Sequence, residues 1–412
     1  RAVLPVTGFP SRLPRKKFEK AGVVTRRDRP RLFPAPVHWM KVLIVGGGVS
    51  GLVLANRLAD SVDVTVFEPR DTWTCSYGVF ASEVAPWARP IVDDATKNRY
   101  RVTHPTAGGA SCRTNQRYLQ LDTTVLRERL SRSVRIQRQP VVRMTPNKVT
   151  LSDGTDVFAD VVIDATGHYS AFQTYPPHQR AWQVFHGETV TFEKPHGYPT
   201  DECVLMDWSG GSDEPASFAY ILPQDEYTVF IEETVLVTPA RVPYAVLDKR
   251  LRARIDRLSR SAGKATCTVS EQYRLPMNCP APLFTGTLAF GAAASMGNPI
   301  SGYLVGYATR TADTVADLLM RRTSPRGIHR AVIVDWKRDL LYGPCSKMLE
   351  SFDRSELAAF FDGFYRCVRD DRRSAESILF RHTGFVQQLR GQAALFRYLD
   401  GWMGVKVARG FV

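Results

Sequence analysis

One short stretch near the start of the chain constrains the fold more than any other part of the sequence. An apolar run, Lys41–Val45, is followed directly by the glycine-rich sequence 46–51, and residues 52–58 continue with the apolar spacing of a helix. A second apolar run, residues 62–67, ends in Glu68. A strand, a glycine turn, a helix, a second strand and a terminal acid in this order predict a βαβ unit that binds a dinucleotide.

Each glycine of this turn has a separate physical task. Gly46 allows the tight turn, Gly48 lets the backbone approach a pyrophosphate, and Gly51 lets the helix pack closely on the strand. The helix N-terminus that follows offers free N–H groups to phosphate oxygens. Glu68 stands where a carboxylate accepts hydrogen bonds from ribose hydroxyls, which favours FAD or NAD(H) over a nucleotide with a 2′-phosphate.

A second apolar strand favours FAD over NAD(H) as the bound dinucleotide. Residues 149–157 predict a hairpin that turns at an Asp-Gly pair, and the apolar strand after it ends in Asp164, followed by Ala-Thr and Gly167. This pairing resembles the glutathione-reductase-type FAD fold, in which such a strand returns beneath the dinucleotide. The resemblance implies FAD as the cofactor.

A third segment, residues 288–303, resembles the closing flavin segment of the same fold. It carries Gly291, Pro299 and Gly302 and leads into a predicted helix. Many relatives hold the ribityl chain with an aspartate where this sequence has Ala292, so that contact must come from elsewhere. The predicted fold is therefore α/β: a Rossmann-type FAD-binding domain with an inserted substrate domain built on a mixed or antiparallel sheet, and a C-terminal helical region.

Length and these motifs together predict the domain organisation. A chain of 412 residues is long enough for two or three cores. We expect a basic extension over 1–40, an FAD-binding domain over 41–175 plus about 285–320, a substrate-binding domain over 176–284, and a helical region over 321–412. The extension is either a segment upstream of a natural start at Met40 or an organelle transit peptide.

Charge and cysteine content exclude several classes of protein. The net charge is +14, but residues 1–40 contain ten Lys or Arg against two acids and so supply +8 of it. The rest of the chain is only mildly basic, and we expect no nucleic-acid partner. The seven cysteines and eight histidines show no metal-ligand spacing, so we expect no metal and a reducing compartment.

Blocks in the second half of the chain resemble the flavin-dependent lycopene cyclase family, of the soluble FAD-binding type. The most specific are Phe230-Ile-Glu-Glu-Thr234 and Val204-Leu-Met-Asp-Trp208, and the stretches 273–277, 291–296 and 298–303 follow in the family's order. The resemblance covers about residues 41–370. It departs at Phe80, where many relatives carry tryptophan, and at Asn298, where many carry histidine.

The resemblance implies a lycopene β-cyclase. Such an enzyme closes the acyclic ends of lycopene to β-ionone rings, giving γ- and β-carotene without net oxidation or reduction. It implies reduced FAD as the active cofactor and NAD(P)H as the source of electrons. The alternatives are a flavin-dependent monooxygenase or prenyl reductase of the same fold, a cyclase of another polyprenyl chain, or a flavoprotein that binds a polyene without changing it.

Two adjacent glutamates are the candidate acids. Glu232 and Glu233 lie in an apolar predicted strand, and strand alternation sends their side chains to opposite faces. A glutamate in an apolar pocket keeps its proton and can protonate an alkene. By resemblance Glu233 is the first choice, with Glu232 close behind, and Asp207 shares the proton or helps to hold the flavin.

Three aromatic residues are expected to line the substrate tunnel. These residues are Trp208, Tyr220 and Tyr303, and their ring faces suit a carbocation.

The substrate implies contact with a membrane. A C40 hydrocarbon dissolves in a bilayer, so we expect peripheral membrane contact, with the basic residues of Arg366–Arg373 as one candidate surface. No spanning helix is expected, because prolines and glycines interrupt the uncharged stretch 275–309. We expect a cytoplasmic protein, bacterial in origin, or a plastid protein if residues 1–40 are a transit peptide.

Overall fold

The computed structural model of the chain describes residues 40–106, 111–210, 214–333, 342–380 and 384–410. The predicted basic extension lies outside the described residues, apart from Met40.

The strands of the described residues fall into three sheets. They are β1 (Lys41–Val45), β2 (Asp63–Phe67), β3 (Tyr77–Phe80), β4 (Thr96–Pro105), β5 (Ser111–Leu121), β6 (Arg135–Gln137), β7 (Val141–Thr145), β8 (Lys148–Leu151), β9 (Asp156–Phe158), β10 (Val161–Asp164), β11 (Ala181–Phe192), β12 (Glu202–Asp207), β13 (Phe218–Pro223), β14 (Thr228–Thr238), β15 (Ala265–Met277) and β16 (Leu288–Ala289).

The α-helices of the described residues lie between these strands in the sequence or follow the last strand. They are α1 (Val49–Leu58), α2 (Arg89–Asp94), α3 (Thr123–Ser131), α4 (Tyr244–Ala262), α5 (Val305–Met320), α6 (Pro325–Ile328), α7 (Gly343–Glu350), α8 (Arg354–Asp370), α9 (Arg372–Leu379), α10 (Phe385–Leu395) and α11 (Gly401–Gly410).

A parallel sheet of five strands forms the dinucleotide-binding half. Its order is β16–β10–β1–β2–β6, and α1 connects β1 to β2 as the glycine pattern predicts. Val45 pairs with both Phe67 and Asp164, so the three neighbouring strands end at one edge of the sheet. The carboxyl edge of a parallel sheet is where such folds bind their ligands.

A mixed sheet of eight strands forms the second half. Its order is β15–β11–β14–β13–β12–β4–β5–β3, with β12 and β4 parallel and the other neighbours antiparallel. β3, β4 and β5 come from residues 77–121, within the range that we assigned to the FAD-binding domain. The larger sheet therefore also draws on residues before 176, and the domain boundaries stay a prediction.

Helices cover both faces of the larger sheet. On one face, Leu251 and Ile255 of α4 pack against Val229 and Ile231 of β14. On the other face, β14 contributes Phe230 to a core that it shares with the C-terminal helices, among them α8. Consecutive residues of β14 therefore face α4 and the C-terminal helices in turn.

The predicted α/β fold is confirmed, including the parallel sheet, the mixed sheet and the C-terminal helices. The predicted hairpin forms between β8 and β9, with Gly154 in the turn at φ +86°. No helix in the described part of the chain combines the length and the apolar character needed to cross a membrane.

Candidate active site

The glycine turn has the geometry of a phosphate cradle. Gly46 adopts φ +104°, and a Cβ there would lie 2.4 Å from the carbonyl oxygen of Ala165. A Cβ on Gly51 would lie 2.0 Å from the carbonyl oxygen of Gly46, so only glycine lets α1 pack this closely. At Gly48, by contrast, no described atom lies within 4 Å of where a Cβ would stand. This open space above the N-terminus of α1 fits a pyrophosphate.

Glu68 lies beside that turn at the end of β2. Its side chain is buried, and its Oε2 accepts a hydrogen bond from the backbone N–H of Gly47 at 2.9 Å. Burial raises the pKa of Glu68, but hydrogen bonds from Arg70 and Gly47 outweigh burial, and the pKa lies below its ordinary value. An ionised carboxylate at this place fits the ribose of a dinucleotide.

The second predicted cofactor strand ends in a loop that Asp164 organises. The buried Asp164 carboxylate accepts hydrogen bonds from the backbone and hydroxyl of Thr166 and from the hydroxyl of Ser170, at 2.6 to 2.9 Å. Gly167 follows at φ +103°, and no described atom lies within 4 Å of where a Cβ would stand. Asp164 thus holds its own loop in place.

The closing segment meets the glycine turn at Gly291. A Cβ on Gly291 would lie 2.3 Å from the Cβ of Ser50, so a larger residue would push the segment away from the start of α1. The predicted glycine turn, returning strand and closing segment therefore converge on one site.

A tight loop, residues 298–303, separates two cavities. The Asn298 side chain accepts hydrogen bonds from the backbone N–H groups of Ile300 and Ser301 and donates one to the carbonyl of Leu379 on α9. A cavity of about 340 Å³ lies on one side, where its walls include Pro299, Gly302 and His168. Asn298 lines both cavities.

The larger cavity, about 980 Å³ including its mouth, lies between the eight-stranded sheet and the C-terminal helices. Its wall is almost entirely apolar or aromatic. The lining residues are Phe80, Gln116, Met206, Tyr220, Leu236, Asn298, Ile300, Ser301, Tyr303, Tyr342, Cys345, Met348, Phe360, Phe361, Phe364, Tyr365, Ile378, Leu379, Gln392, Leu395, Phe396 and Val407.

Of the three aromatic residues predicted to line the substrate tunnel, two lie in this wall. Tyr220 and Tyr303 line the cavity directly. Trp208 lies one layer behind it and stacks on Phe361, with ring centroids 5.9 Å apart and planes at 22°. Trp208 therefore supports the wall through Phe361.

Glu233 and Asp207 meet on the face of β14 that packs against α4. Arg254 of α4 donates to Oε2 of Glu233 at 2.5 Å and to Oδ2 of Asp207 at 3.1 Å. The hydroxyl of Ser217 donates to the other oxygen of Glu233 at 2.5 Å. Burial raises the pKa of Glu233, against the opposing effects of Arg254 and Ser217. Both oxygens of Glu233 are thus held by partners on the face opposite the large cavity.

Glu232 points to the other face, as strand alternation predicts. Its cross-strand neighbours are Gly187 on β11 and Tyr220, which lines the cavity. Burial raises the pKa of Glu232 to about 8; a hydrogen bond from Thr234 opposes the rise and the nearby Glu271 adds to it. Glu232 is not itself among the lining residues, but it lies next to Tyr220, which lines the cavity.

Gly187 makes room for the side chains of Phe230 and Glu232. A Cβ at Gly187 would lie 2.5 Å from the ring of Phe230 and 3.3 Å from the Cβ of Glu232. Only a residue without a side chain lets both Phe230 and Glu232 keep their positions.

Arg254 was not among the predicted site residues, although the sequence of α4 carries a signal for it. Leu247, Leu251, Arg254 and Ile255 are all buried and fall on one face of the amphipathic helix α4. A lone arginine on an apolar helix face requires buried acids nearby. Glu233 and Asp207 are those acids.

A separate cluster groups His186, Glu188 and Asp248, with ligand atoms within 4.8 Å of one another. Arg252 forms ion pairs with both Glu188 and Asp248. Because this guanidinium already supplies the positive charge, the cluster gives no reason to expect a metal.

A family model described as lycopene cyclase protein matches residues 41–372, which include the parallel sheet, the larger sheet and the cavity wall up to α8. This chain belongs to the lycopene cyclase family. The family resemblance predicted from the sequence is confirmed.

Curated relatives include plant enzymes of moderate identity. The lycopene beta cyclase of an Oncidium hybrid cultivar is 29% identical over 71% of this chain and 66% of its own length. The capsanthin/capsorubin synthase of Citrus sinensis is 26% identical over 82% of this chain and 74% of its own length. This chain thus aligns with part of each plant protein.

Solved structures of similar fold include proteins whose names give other activities. A geranylgeranyl bacteriochlorophyll reductase-like protein from Thermoplasma acidophilum superposes with a TM-score of 0.65 at 13% identity, over 90% of this chain and 99% of that one. The p-nitrophenol 4-monooxygenase of Pseudomonas putida gives a TM-score of 0.60 at 17% identity, over 82% and 96%. At these identities the likeness concerns the fold.

Proposed function

We propose that this member of the lycopene cyclase family acts in carotenoid biosynthesis and closes the acyclic ends of lycopene to β-ionone rings, with Glu232 as the proton donor. One observation carries the proposal: a glutamate whose pKa burial raises to about 8 lies beside a cavity with apolar and aromatic walls. Protonating an isolated alkene needs an acid that keeps its proton at neutral pH, and desolvation provides one.

The reaction balances without an oxidant or a reductant. The Glu232 O–H bond breaks and a C–H bond forms on the terminal alkene, which leaves a tertiary carbocation. A second alkene of the same chain attacks that cation and forms the C–C bond of the ring. A proton then leaves the ring carbon next to the new cation, and we propose that the Glu232 carboxylate accepts it. Atoms and electrons are conserved.

The cavity wall would keep water away from the carbocation and stabilise its charge. Water would trap a carbocation as an alcohol, so a wall of phenylalanine and leucine side chains keeps the reaction on course. The ring faces of Tyr220 and Tyr303 present electron density to a positive charge.

FAD fits the cradle formed by the glycine turn, Glu68 and the closing segment at Gly291. We propose that Gly46, Gly48 and Gly51 accommodate its pyrophosphate and Glu68 its ribose. Bound in its reduced, negatively charged form, with NAD(P)H as the electron source, FAD would supply electrostatic stabilisation of nearby positive charge.

The geometry of the two glutamates favours Glu232 over Glu233 as the acid, the reverse of the order that the sequence resemblance implied. Glu232 becomes the proposed acid, because it lies on the side of the cavity and has the raised pKa. Glu233 and Asp207 become positioning residues, because their ion pairs with Arg254 fix β14 and β12 against α4. Through β14 this buried network holds the backbone that carries Glu232.

The experiment is anaerobic incubation of the full chain with chemically reduced FAD and lycopene in liposomes, followed by mass spectrometry and chromatography. We expect a ring-ended product of unchanged mass. A product heavier by one oxygen after air is admitted would favour a monooxygenase, and one heavier by two hydrogens a prenyl reductase. Unchanged lycopene beside cyclisation of another polyprenyl chain would reassign the substrate.

A further inference from the structure

The outer side of α10 carries a stripe of exposed apolar side chains. Val386, Leu389, Ala393 and Phe396 follow one another at intervals of three or four residues, which places them on one line along the helix and just beyond its end. Val386 is 57% exposed, Leu389 42% and Phe396 37%. The surface of a soluble protein rarely exposes such an apolar stripe to water unless the stripe is a binding site.

α11 continues the same surface. Trp402 and Val405, one helical turn apart, are each 53% exposed. A Cβ built on Gly404 would lie 3.9 Å from the ring of Phe396, so the two helices bring their apolar residues together. Five of the twelve large apolar side chains exposed by the described residues lie between residues 386 and 405.

Positive charge accompanies this surface. Arg390, Arg397 and Arg409 are exposed on or beside the two helices, against Asp400 as the exposed acid between them. Arg390 and Arg409 form no ion pair within the described residues. Apolar side chains flanked by arginines suit the headgroup region of an anionic bilayer.

The large cavity opens at this surface. Phe396 lines the cavity and is also exposed, so it lies at the boundary between the cavity and solvent. Gln392 and Leu395 of α10 and Val407 of α11 also line the cavity. A hydrocarbon leaving a bilayer beneath these helices would enter the cavity without crossing water.

We propose that the surface formed by Val386, Leu389, Ala393, Phe396, Trp402 and Val405, with its flanking arginines, docks the protein on an anionic lipid bilayer and admits the polyene between α10 and α11. This inference rests on the proposed function, since it takes a substrate dissolved in the membrane.

The basic run Arg366–Arg373, which the sequence suggested for this task, is less suitable. Its Arg366, Arg369 and Arg372 form ion pairs with Asp400, Asp370 and Glu376. Paired arginines attract lipid headgroups less than unpaired ones, so we assign the contact to α10 and α11.

The test is flotation of the full chain with liposomes that contain no polyene. Vesicles with about 30% phosphatidylserine should bind the protein about 25-fold more tightly than pure phosphatidylcholine vesicles, because each of the two arginines without an ion pair, Arg390 and Arg409, adds about a fivefold preference. Val405→Glu should reduce binding to the anionic vesicles about tenfold.

Val142→Glu is the matched control, because Val142 on β7 is 60% exposed and lies outside this surface. It should float like the unchanged protein. Equal flotation of Val405→Glu and Val142→Glu would overturn the proposal. So would a Val405→Glu variant that changes only the oligomeric state in light scattering, since the surface would then join copies of the chain.

Activity on detergent-dispersed lycopene separates this proposal from the proposed function. Val405→Glu should keep its ring-forming rate in detergent and lose it on liposomes. No ring formation in either format by the unchanged protein would refute the proposed function and leave the flotation result standing.

Discussion

Replacing Glu232 by glutamine tests the proposed acid most directly. The substitution keeps the shape of the side chain and removes its proton. General acid catalysis contributes about 10²- to 10⁴-fold in enzymes. We expect Glu232→Gln to lower the rate of ring formation about a thousandfold while the protein still folds and binds FAD.

The raised pKa of Glu232 sets the expected pH profile. With a pKa of about 8 the side chain is about nine-tenths protonated at pH 7, against about 0.3% for an ordinary glutamate. The burial of Glu232 thus increases the reactive form about 300-fold. Because the acid must be protonated, the rate should stay level below pH 8 and fall tenfold per pH unit above it.

The assay is the initial rate of ring formation from pH 6 to pH 9.5, on lycopene in liposomes with pre-reduced FAD. Glu233→Gln serves as the comparison, because Glu233 carries the same side chain on the opposite face. Its rate per folded molecule should follow the unchanged profile, with a lower urea midpoint. Wild-type rates in Glu232→Gln, or a profile that falls near pH 8 in that variant as well, would refute the reasoning.

Four further substitutions test the site, its support and the buried acid Glu83. Gly48→Ala should leave the melting temperature of the FAD-free protein unchanged but weaken FAD binding, measured by flavin fluorescence, because the methyl group enters only the open space above the turn. Gly51→Ala should prevent folding, seen by circular dichroism, because its Cβ would lie 2.0 Å from a backbone oxygen. Arg254→Leu should cost about 3–5 kcal/mol in urea unfolding by leaving two buried acids unpaired, and adding Glu233→Leu should recover part of that loss. Glu83→Gln should raise the free energy of unfolding at pH 8.5 by up to about 3 kcal/mol and much less at pH 5. Burial raises the Glu83 pKa to about 7 in the folded state, so wild-type stability falls as pH rises from the ordinary pKa through 7.

Local patterns predicted the parts of the fold that local chemistry controls. The apolar runs and glycines of residues 41–68 predicted the βαβ unit, since a turn with φ +104° at Gly46 and the contact at Gly51 admit no other residue. Alternation along β14 likewise predicted that Glu232 and Glu233 face opposite ways, because a strand leaves no other choice.

The parts of the fold and the site that local patterns did not predict depend on packing between residues distant in the sequence. Which glutamate faces the cavity depends on Arg254, which follows Glu233 by 21 residues and lies on a different element. The cavity wall combines residues from Phe80 to Val407, and no local pattern indicates that these segments meet. The same holds for β3, β4 and β5, which join the larger sheet through the pairing of β4 with β12, a pairing that their own sequences do not indicate.

The adjacency of Glu232 and Glu233 makes β14 sensitive to insertions in an unusual way. Adding one residue before Glu232 would exchange the faces of β14 to which the two carboxyl groups point. Glu232, the proposed proton donor, would then face Arg254, and Glu233 would face the apolar cavity side. Adding two residues would restore the orientation of each. Tolerance of length changes here should therefore alternate between odd and even numbers, and directed evolution of this segment is best confined to substitutions.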